Sequence, residues 1–135
     1  MSDAERPATS TVTAAYPQLF VAEMDRTVTF YKERLGFEIA FLYGEPPFYG
    51  QLQRDAARLN FRVVNGPVLD RAAAERSELL AAYLVVDGAK GLYQEFLDRA
   101  VDFCRPLETK PWGIAGFVVR DPDGNLLTFA EPSED

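Results

Sequence analysis

The sequence contains no histidine and only one cysteine, Cys104. Without histidine a Cys–His nucleophile pair cannot form, and the commonest metal ligand is missing. A single cysteine excludes an internal disulfide. Set between Val101, Phe103 and Arg105, Cys104 reads as a small buried hydrophobe rather than a nucleophile. Long apolar runs are also lacking: none approaches the ~18 residues of a membrane span, and the N-terminus has no signal-peptide apolar region. A cytoplasmic protein is therefore expected. Positive charge is scarce, with 14 Lys and Arg against 21 Asp and Glu, a net charge of −7. Nucleic acid and anionic membranes are poor partners for such a chain, whereas cationic ligands would be attracted. Solubility alone is the simpler account of the acidity.

What is present is enough for one domain. The chain has 135 residues, 47% hydrophobic, with ten Phe, and this suffices for a sizeable core. Residues 1–14 are polar, include Pro7 and show no period, so they read as a flexible arm. Residues 15–132 read as the domain and 133–135 as a tail. Gln18 to Ala22 is strand-like, and Asp25 or Thr27 can cap the helix that follows. Val28, Tyr31 and Leu35 fall on one face of that helix, with Phe30 alongside, and Gly36 ends it. Strands are expected over Phe37–Tyr43, Tyr49–Gln53 and Arg58–Val64, the last two joined by the Arg54-Asp55-Ala56-Ala57 turn. Val68 to Leu79 reads as a connector with some helix. Ala81–Val86 is a strand, and Asp87-Gly88 opens a helix with Ala89, Leu92, Tyr93, Phe96 and Leu97 as its apolar stripe. Val101–Arg105 is the next strand. Asp121-Pro122-Asp123-Gly124, between two apolar runs, is a hairpin signal: Pro122 presets the turn, and Gly124 or Asn125 can take positive φ.

The two halves echo one another. Phe30, Leu35 and Phe37 share their spacing with Phe96, Val101 and Phe103. The fold class expected is α+β with a duplicated supersecondary unit; two tandem βαβββ modules, about 15–66 and 80–132, forming a curved mixed sheet around a cleft, fit the family resemblance that follows.

Family resemblance rests on motifs in order. Ala15-Tyr16-Pro17-Gln18-Leu19, Phe30-Tyr31 and Arg34-Leu35-Gly36-Phe37 are followed by Tyr49-Gly50-Gln51-Leu52-Gln53-Arg54-Asp55, Arg58-Leu59-Asn60-Phe61 and Leu92-Tyr93-Gln94-Glu95-Phe96. Then come Pro111-Trp112-Gly113 and the Asp121–Asn125 turn. Together they resemble the vicinal oxygen chelate superfamily of glyoxalases, extradiol dioxygenases and bleomycin resistance proteins, and most of all its bleomycin resistance branch. In the metalloenzymes of that superfamily, ligands are usually His, Glu or Gln. The matching positions here fall near Tyr16, Asn60, Leu80 and Thr128, a weak neutral set. No metal and no cofactor are therefore expected.

The resemblance implies metal-independent binding and sequestration of a drug-like or natural-product molecule. It also implies crevices at a homodimer interface and an arm that crosses between subunits. Trp112, on the loop entering the last hairpin, matches the tryptophan of the drug-binding crevice. Aromatic faces stack on planar groups and attract cations, so a planar, cationic ligand is expected. Phe41, Phe48 and Tyr49 are candidates for the opposite wall. Asn60, Arg62 and Tyr83 sit at strand positions that could face the cavity, and Gly113 adjoins Trp112. Core packing is the competing reading for Trp112 and Phe41, and a solvated face for Asn60 and Arg62. Glu23 and Asp87 read as helix caps, and Arg120 with Asp121 as turn-end structure. A metal-free isomerase, cyclase or lyase, with Glu23, Asp87 or Glu131 as acid or base, is the alternative function. A non-catalytic association module is the third.

Overall fold

The computed structural model describes residues 10–67 and 69–133. Most of the expected arm, Val68 and the end of the tail lie outside them. The elements run β1 (Gln18–Val21), α1 (Met24–Glu33), β2 (Glu38–Tyr43), β3 (Tyr49–Arg54), β4 (Ala57–Val63), α2 (Arg71–Ser77), β5 (Leu80–Val85), α3 (Ala89–Asp98), β6 (Phe103–Thr109), β7 (Ala115–Arg120) and β8 (Leu126–Glu131). This is an α+β fold of two tandem βαβββ modules. Each contributes a four-stranded mixed sheet, in the orders β1-β4-β3-β2 and β5-β8-β7-β6. In each, the first strand runs parallel to the last and the other pairs are antiparallel.

Strand alternation gives each sheet one covered face. Leu19, Val21, Leu52, Leu59 and Phe61 turn inward from the first sheet, and Phe117, Val119, Leu127 and Phe129 from the second. They join Tyr31, Leu35, Phe37 and Phe96 in one core shared by both modules. Phe96 packs edge-on against Phe117 and Phe129, and Tyr31 against Phe61. The opposite face of each sheet is left to the solvent or to a ligand.

The repeat differs in detail from the spacing of phenylalanines. Tyr31 and Phe96 each stand seven residues after the first residue of their helix, and both are fully buried. Tyr31, not Phe30, is thus the partner of Phe96. Leu35 and Val101 are both buried as expected, but they stand four and five residues after Tyr31 and Phe96, although four residues separate helix from strand in both modules. Leu97 lies outside the apolar stripe, 45% exposed.

Capping also differs. Helix α1 starts at Met24, and the Glu23 side chain makes no cap bond. Thr27 is buried inside the helix, its hydroxyl donating to the Glu23 carbonyl at 2.9 Å. At α3 the cap comes from a distant strand: the Ala89 N–H donates to Glu131 Oε1 at 3.0 Å. The Ala89 and Gly88 amides hold the Glu131 carboxyl below its ordinary range. Asp87 is not the cap, because its place is taken by a carboxylate from β8. In the connector, Asp70 caps α2 by accepting from Ala73 N–H at 3.1 Å.

The β7–β8 turn joins the modules. Gly124 takes a φ of +89°, which closes the turn as its sequence predicts. Asp121 is only 2% exposed. Its carboxylate accepts from Asp123 N–H (2.9 Å), Asn125 N–H (2.8 Å), Asn125 Nδ2 (3.0 Å) and the Tyr31 hydroxyl (2.9 Å). From the same turn, Asn125 Nδ2 donates to the Phe20 carbonyl at 3.1 Å, and Asp123 accepts from Ala22 N–H at 2.9 Å and Arg26 at 3.0 Å. The first module answers with Arg54, which is bidentate to Glu95 on α3 at 2.8 and 2.9 Å and donates to the Leu35 carbonyl. Desolvation pushes the Asp121 carboxyl above its ordinary range, against the pull of the donors from Asn125 and Tyr31. Burial, then the neighbouring Asp121 charge, pushes the Tyr31 phenol well above its own.

Tyr31→Phe removes one donor from a buried carboxylate and should lower stability by about 1–3 kcal/mol at pH 7. Asp121 holds its proton more tightly folded than unfolded. Its contribution to stability is therefore complete at low pH and is lost as pH rises through the folded-state pKa. Tyr31 pulls that pKa down, so the variant's deficit should be largest at pH 7 and shrink on acidification. Urea denaturation of both proteins at pH 7 and pH 4.5 measures the difference.

Candidate functional site

The open face of the first sheet is built by register. Tyr49 lies opposite Arg62, Gln51 opposite Asn60, and Gln53 opposite Arg58. Gln18 and Phe20 of β1 lie beside Asn60 and Arg62, while Phe41 and Tyr43 lie opposite Gln51 and Tyr49. Aromatics gather at one end. The Phe41 and Tyr49 rings are 6.1 Å apart, and Tyr43 and Phe48 are 5.6 Å apart. The Arg62 guanidinium stands 6.0 Å from the Phe48 ring centroid. A polar row runs beside them: Arg58 donates to Gln51 Oε1, and Gln51 Nε2 donates to Asn60 Oδ1, both at 2.9 Å.

The open face of the second sheet holds a cavity of about 200 Å³. Tyr83, Thr128 and Val118 line up across β5, β8 and β7 to form its floor. Trp112, 67% exposed, forms one wall. It rides a tight turn in which Gly113 N–H donates to the Lys110 carbonyl at 2.9 Å. Gly113 itself has a φ of +92° and sits against Ser133, so it presents Trp112 rather than lining the cavity. At the other end α2 lies on the sheet. Ala74 is fully buried against Val118 and Leu126, with Leu69 and the half-buried Cys104 beside them. Arg120 holds α2 there through both oxygens of Glu75, at 2.9 Å each, and also reaches Asp102 at 2.8 Å. Arg120 is thus a brace between β7 and the connector, more than a turn end. A larger cleft, about 780 Å³, lies between the β3–β4 turn and the start of α3. There Arg54 and Glu95 are committed to each other.

The candidate residues fall into two groups that a single chain does not bring together. Trp112 and Tyr83 line the second-sheet cavity, with Gly113 behind. Phe41, Phe48, Tyr49, Asn60 and Arg62 lie on the first sheet and do not line that cavity. Neither Trp112 nor Phe41, at 44% exposure, belongs to the core. Strand alternation, extended from Asn60 and Arg62, would also have named Arg58. Val118, Glu78 and Arg105 reach the cavity only because of tertiary packing, with no local signal.

Charge at the cavity is balanced rather than acidic. Glu78 pairs with Arg105 at 3.3 Å and Glu108 with Lys110 at 2.5 Å. The Lys110 bond holds the Glu108 carboxyl below its ordinary range. The net negative charge of the chain does not gather at this cavity, because each of these carboxylates carries its own base.

The positions matched to metal ligands do not fit a catalytic divalent ion. Leu80 has no donor, the Asn60 carbonyl is engaged by Gln51, and Tyr16 and Thr128 offer neutral hydroxyls. Among the described residues no group of three or more His, Cys, Asp or Glu is placed to hold a metal. None of their helices is long and apolar enough to cross a membrane.

The model of the Glyoxalase/Bleomycin resistance protein/Dioxygenase superfamily matches residues 13–129. The chain belongs to that superfamily. The bleomycin resistance determinant encoded on transposon Tn5 is 27% identical, with a TM-score of 0.72 over 90% of this chain and 98% of its own. A bleomycin-binding protein solved in complex with bleomycin is also 27% identical, with a TM-score of 0.71 over 90% of this chain and 100% of its own. The fold is shared too by the bleomycin-binding protein of Streptomyces verticillus, complexed with copper(II)-bleomycin, at 23% identity, TM-score 0.68, and coverage of 94% and 100%. No curated protein sequence matches the chain.

The seating of α2 against this superfamily sheet should be sensitive to bulk at Ala74. Ala74→Leu overpacks the contact with Val118 and Leu126 and should cost about 1–3 kcal/mol in urea denaturation. Ala74→Gly, which adds no bulk but loosens the helix, should cost about 1 kcal/mol.

Proposed function

We propose that this protein binds and sequesters a planar drug-like or natural-product small molecule, without a metal and without reacting with it. The site is a crevice at a homodimer interface, where the first-sheet face of one subunit meets the second-sheet face of its partner. The observation that carries this reading is the division of the aromatic surface. Phe41 and Phe48 are exposed and Tyr49 half-buried on one sheet, and Trp112 and Tyr83 flank a cavity on the other. Each is half of a stacking site, and a second copy is the simplest way to join the halves. Edge strands β1 and β5 also leave backbone groups that a second copy can cover. The relative of 27% identity solved with bleomycin supports a binding role for the architecture. Both cavity carboxylates are ion-paired, and Glu108 is held ionised, so neither is suited to general acid chemistry at neutral pH.

Two measurements test the reading. Light scattering at micromolar concentration should give twice the 15.1 kDa chain mass. A monomer would end the interface crevice. Titration with bleomycin and a panel of planar natural products should then change the Trp112 fluorescence for at least one compound. Binding of that compound, followed by calorimetry, should weaken in Trp112→Ala by roughly 1–3 kcal/mol, about 5- to 150-fold. Trp112→Phe keeps a stacking face and should lose less. Thermal stability should stay near wild type in both, since the side chain is outside the core. Wild-type affinity in both variants would remove Trp112 from the site.

A further inference from the structure

The net charge of −7 points toward cationic ligands, but its distribution points the other way. Asp3, Glu5, Glu134 and Asp135 lie in the termini. Glu75 and Asp102 are committed to Arg120, Glu95 to Arg54 and Arg99, and Asp123 to Arg26. Asp121 is enclosed in its turn. Within the two open faces, Glu78 and Glu108 each carry a paired base. Glu38 stands at the β2 edge opposite Gln53, away from the aromatic end.

Arg62 is different. It lies opposite Tyr49 and beside Phe20 in the register, with its guanidinium over Phe48. No carboxylate among the described residues forms an ion pair with it. Arg58 on the same face is spent on Gln51. On the strands at the aromatic end the uncommitted charge is therefore positive, flanked by the exposed Glu45 of the loop between Tyr43 and Phe48. Once a partner subunit covers this face, an unpaired guanidinium loses water and gains nothing in return. A cationic ligand would add like-charge repulsion. A planar ligand bearing an acidic group would stack on the aromatics and accept the two parallel N–H bonds that a guanidinium offers.

We propose that the crevice selects planar aromatic ligands that carry a carboxylate or phenolate, with Arg62 as the counter-ion. This rests on the homodimer crevice described above. Three matched probes separate the two ideas: anthracene-9-carboxylate, 9-(hydroxymethyl)anthracene and 9-(aminomethyl)anthracene. Affinities of the full-length protein for each, from Trp112 quenching and calorimetry at ~50 mM salt, give the answer. The carboxylate should bind at least about tenfold more tightly than the ammonium. In Arg62→Gln that preference should fall below about twofold, with the neutral alcohol losing less affinity than the carboxylate. Arg62→Lys should keep part of it, and rising salt should erode it. Circular dichroism should show both variants folded, since Arg62 is exposed. Equal or better binding of the ammonium, or an unchanged preference in Arg62→Gln, overturns the inference and leaves the crevice standing. So does a variant whose only defect is a weaker dimer, for Arg62 would then be paired by the partner subunit. If none of the three probes binds, the crevice falls and the inference with it.

Discussion

A buried carboxylate organises this molecule. Asp121 collects donors from its own turn and one from Tyr31 on α1. Taking a carboxylate out of water is costly unless its lone pairs are filled. Those bonds are satisfied together only when the β7–β8 turn sits against α1. The tip of the second module is therefore tied to the first, and the two sheets share one core rather than forming two small ones. The bidentate Arg54–Glu95 pair makes the reciprocal link, from the β3–β4 turn to α3. It is partly exposed, so its energy is more heavily screened.

This arrangement commits the inward faces of both sheets and frees the outward ones. The first outward face is aromatic at one end and polar along its middle. The second is a shallow cavity, closed at one end by α2 and walled at the other by Trp112. Helix α2 breaks the symmetry of the two modules. It buries Val118 and Leu126, which alternation alone would have left open, and it brings Glu75 to Arg120. Two unlike half-surfaces on one chain, rather than one enclosed pocket, direct the functional reading toward a shared crevice.

Much of this was legible in the sequence. The Asp-Pro-Asp-Gly turn, the alternation of Asn60 and Arg62 against Leu59 and Phe61, and the order of the family motifs all act within a few residues. Local geometry decides such features. The helix phases were harder to read. Phe30 and Tyr31 are adjacent, both aromatic, and only packing against Phe37 and Phe61 shows that Tyr31 is the buried one. Capping was misread for a similar reason, since Glu131 reaches α3 from another strand.

By itself the sequence determined the α+β class, the repeat of its two halves and the lack of histidine ligands, because hydrophobic periodicity and turn chemistry act locally and composition is read directly, while the order of its motifs carried the resemblance to the superfamily. Tertiary structure alone decided which acids are neutralised, that α2 lies on the second sheet, and that Trp112 and Phe41 stand on different sheets. Ion pairs such as Arg120–Glu75 span 45 positions, and no local pattern encodes a partner so distant. Net charge is a sum over the chain, whereas a binding face responds to the few charges that folding leaves unpaired beside it.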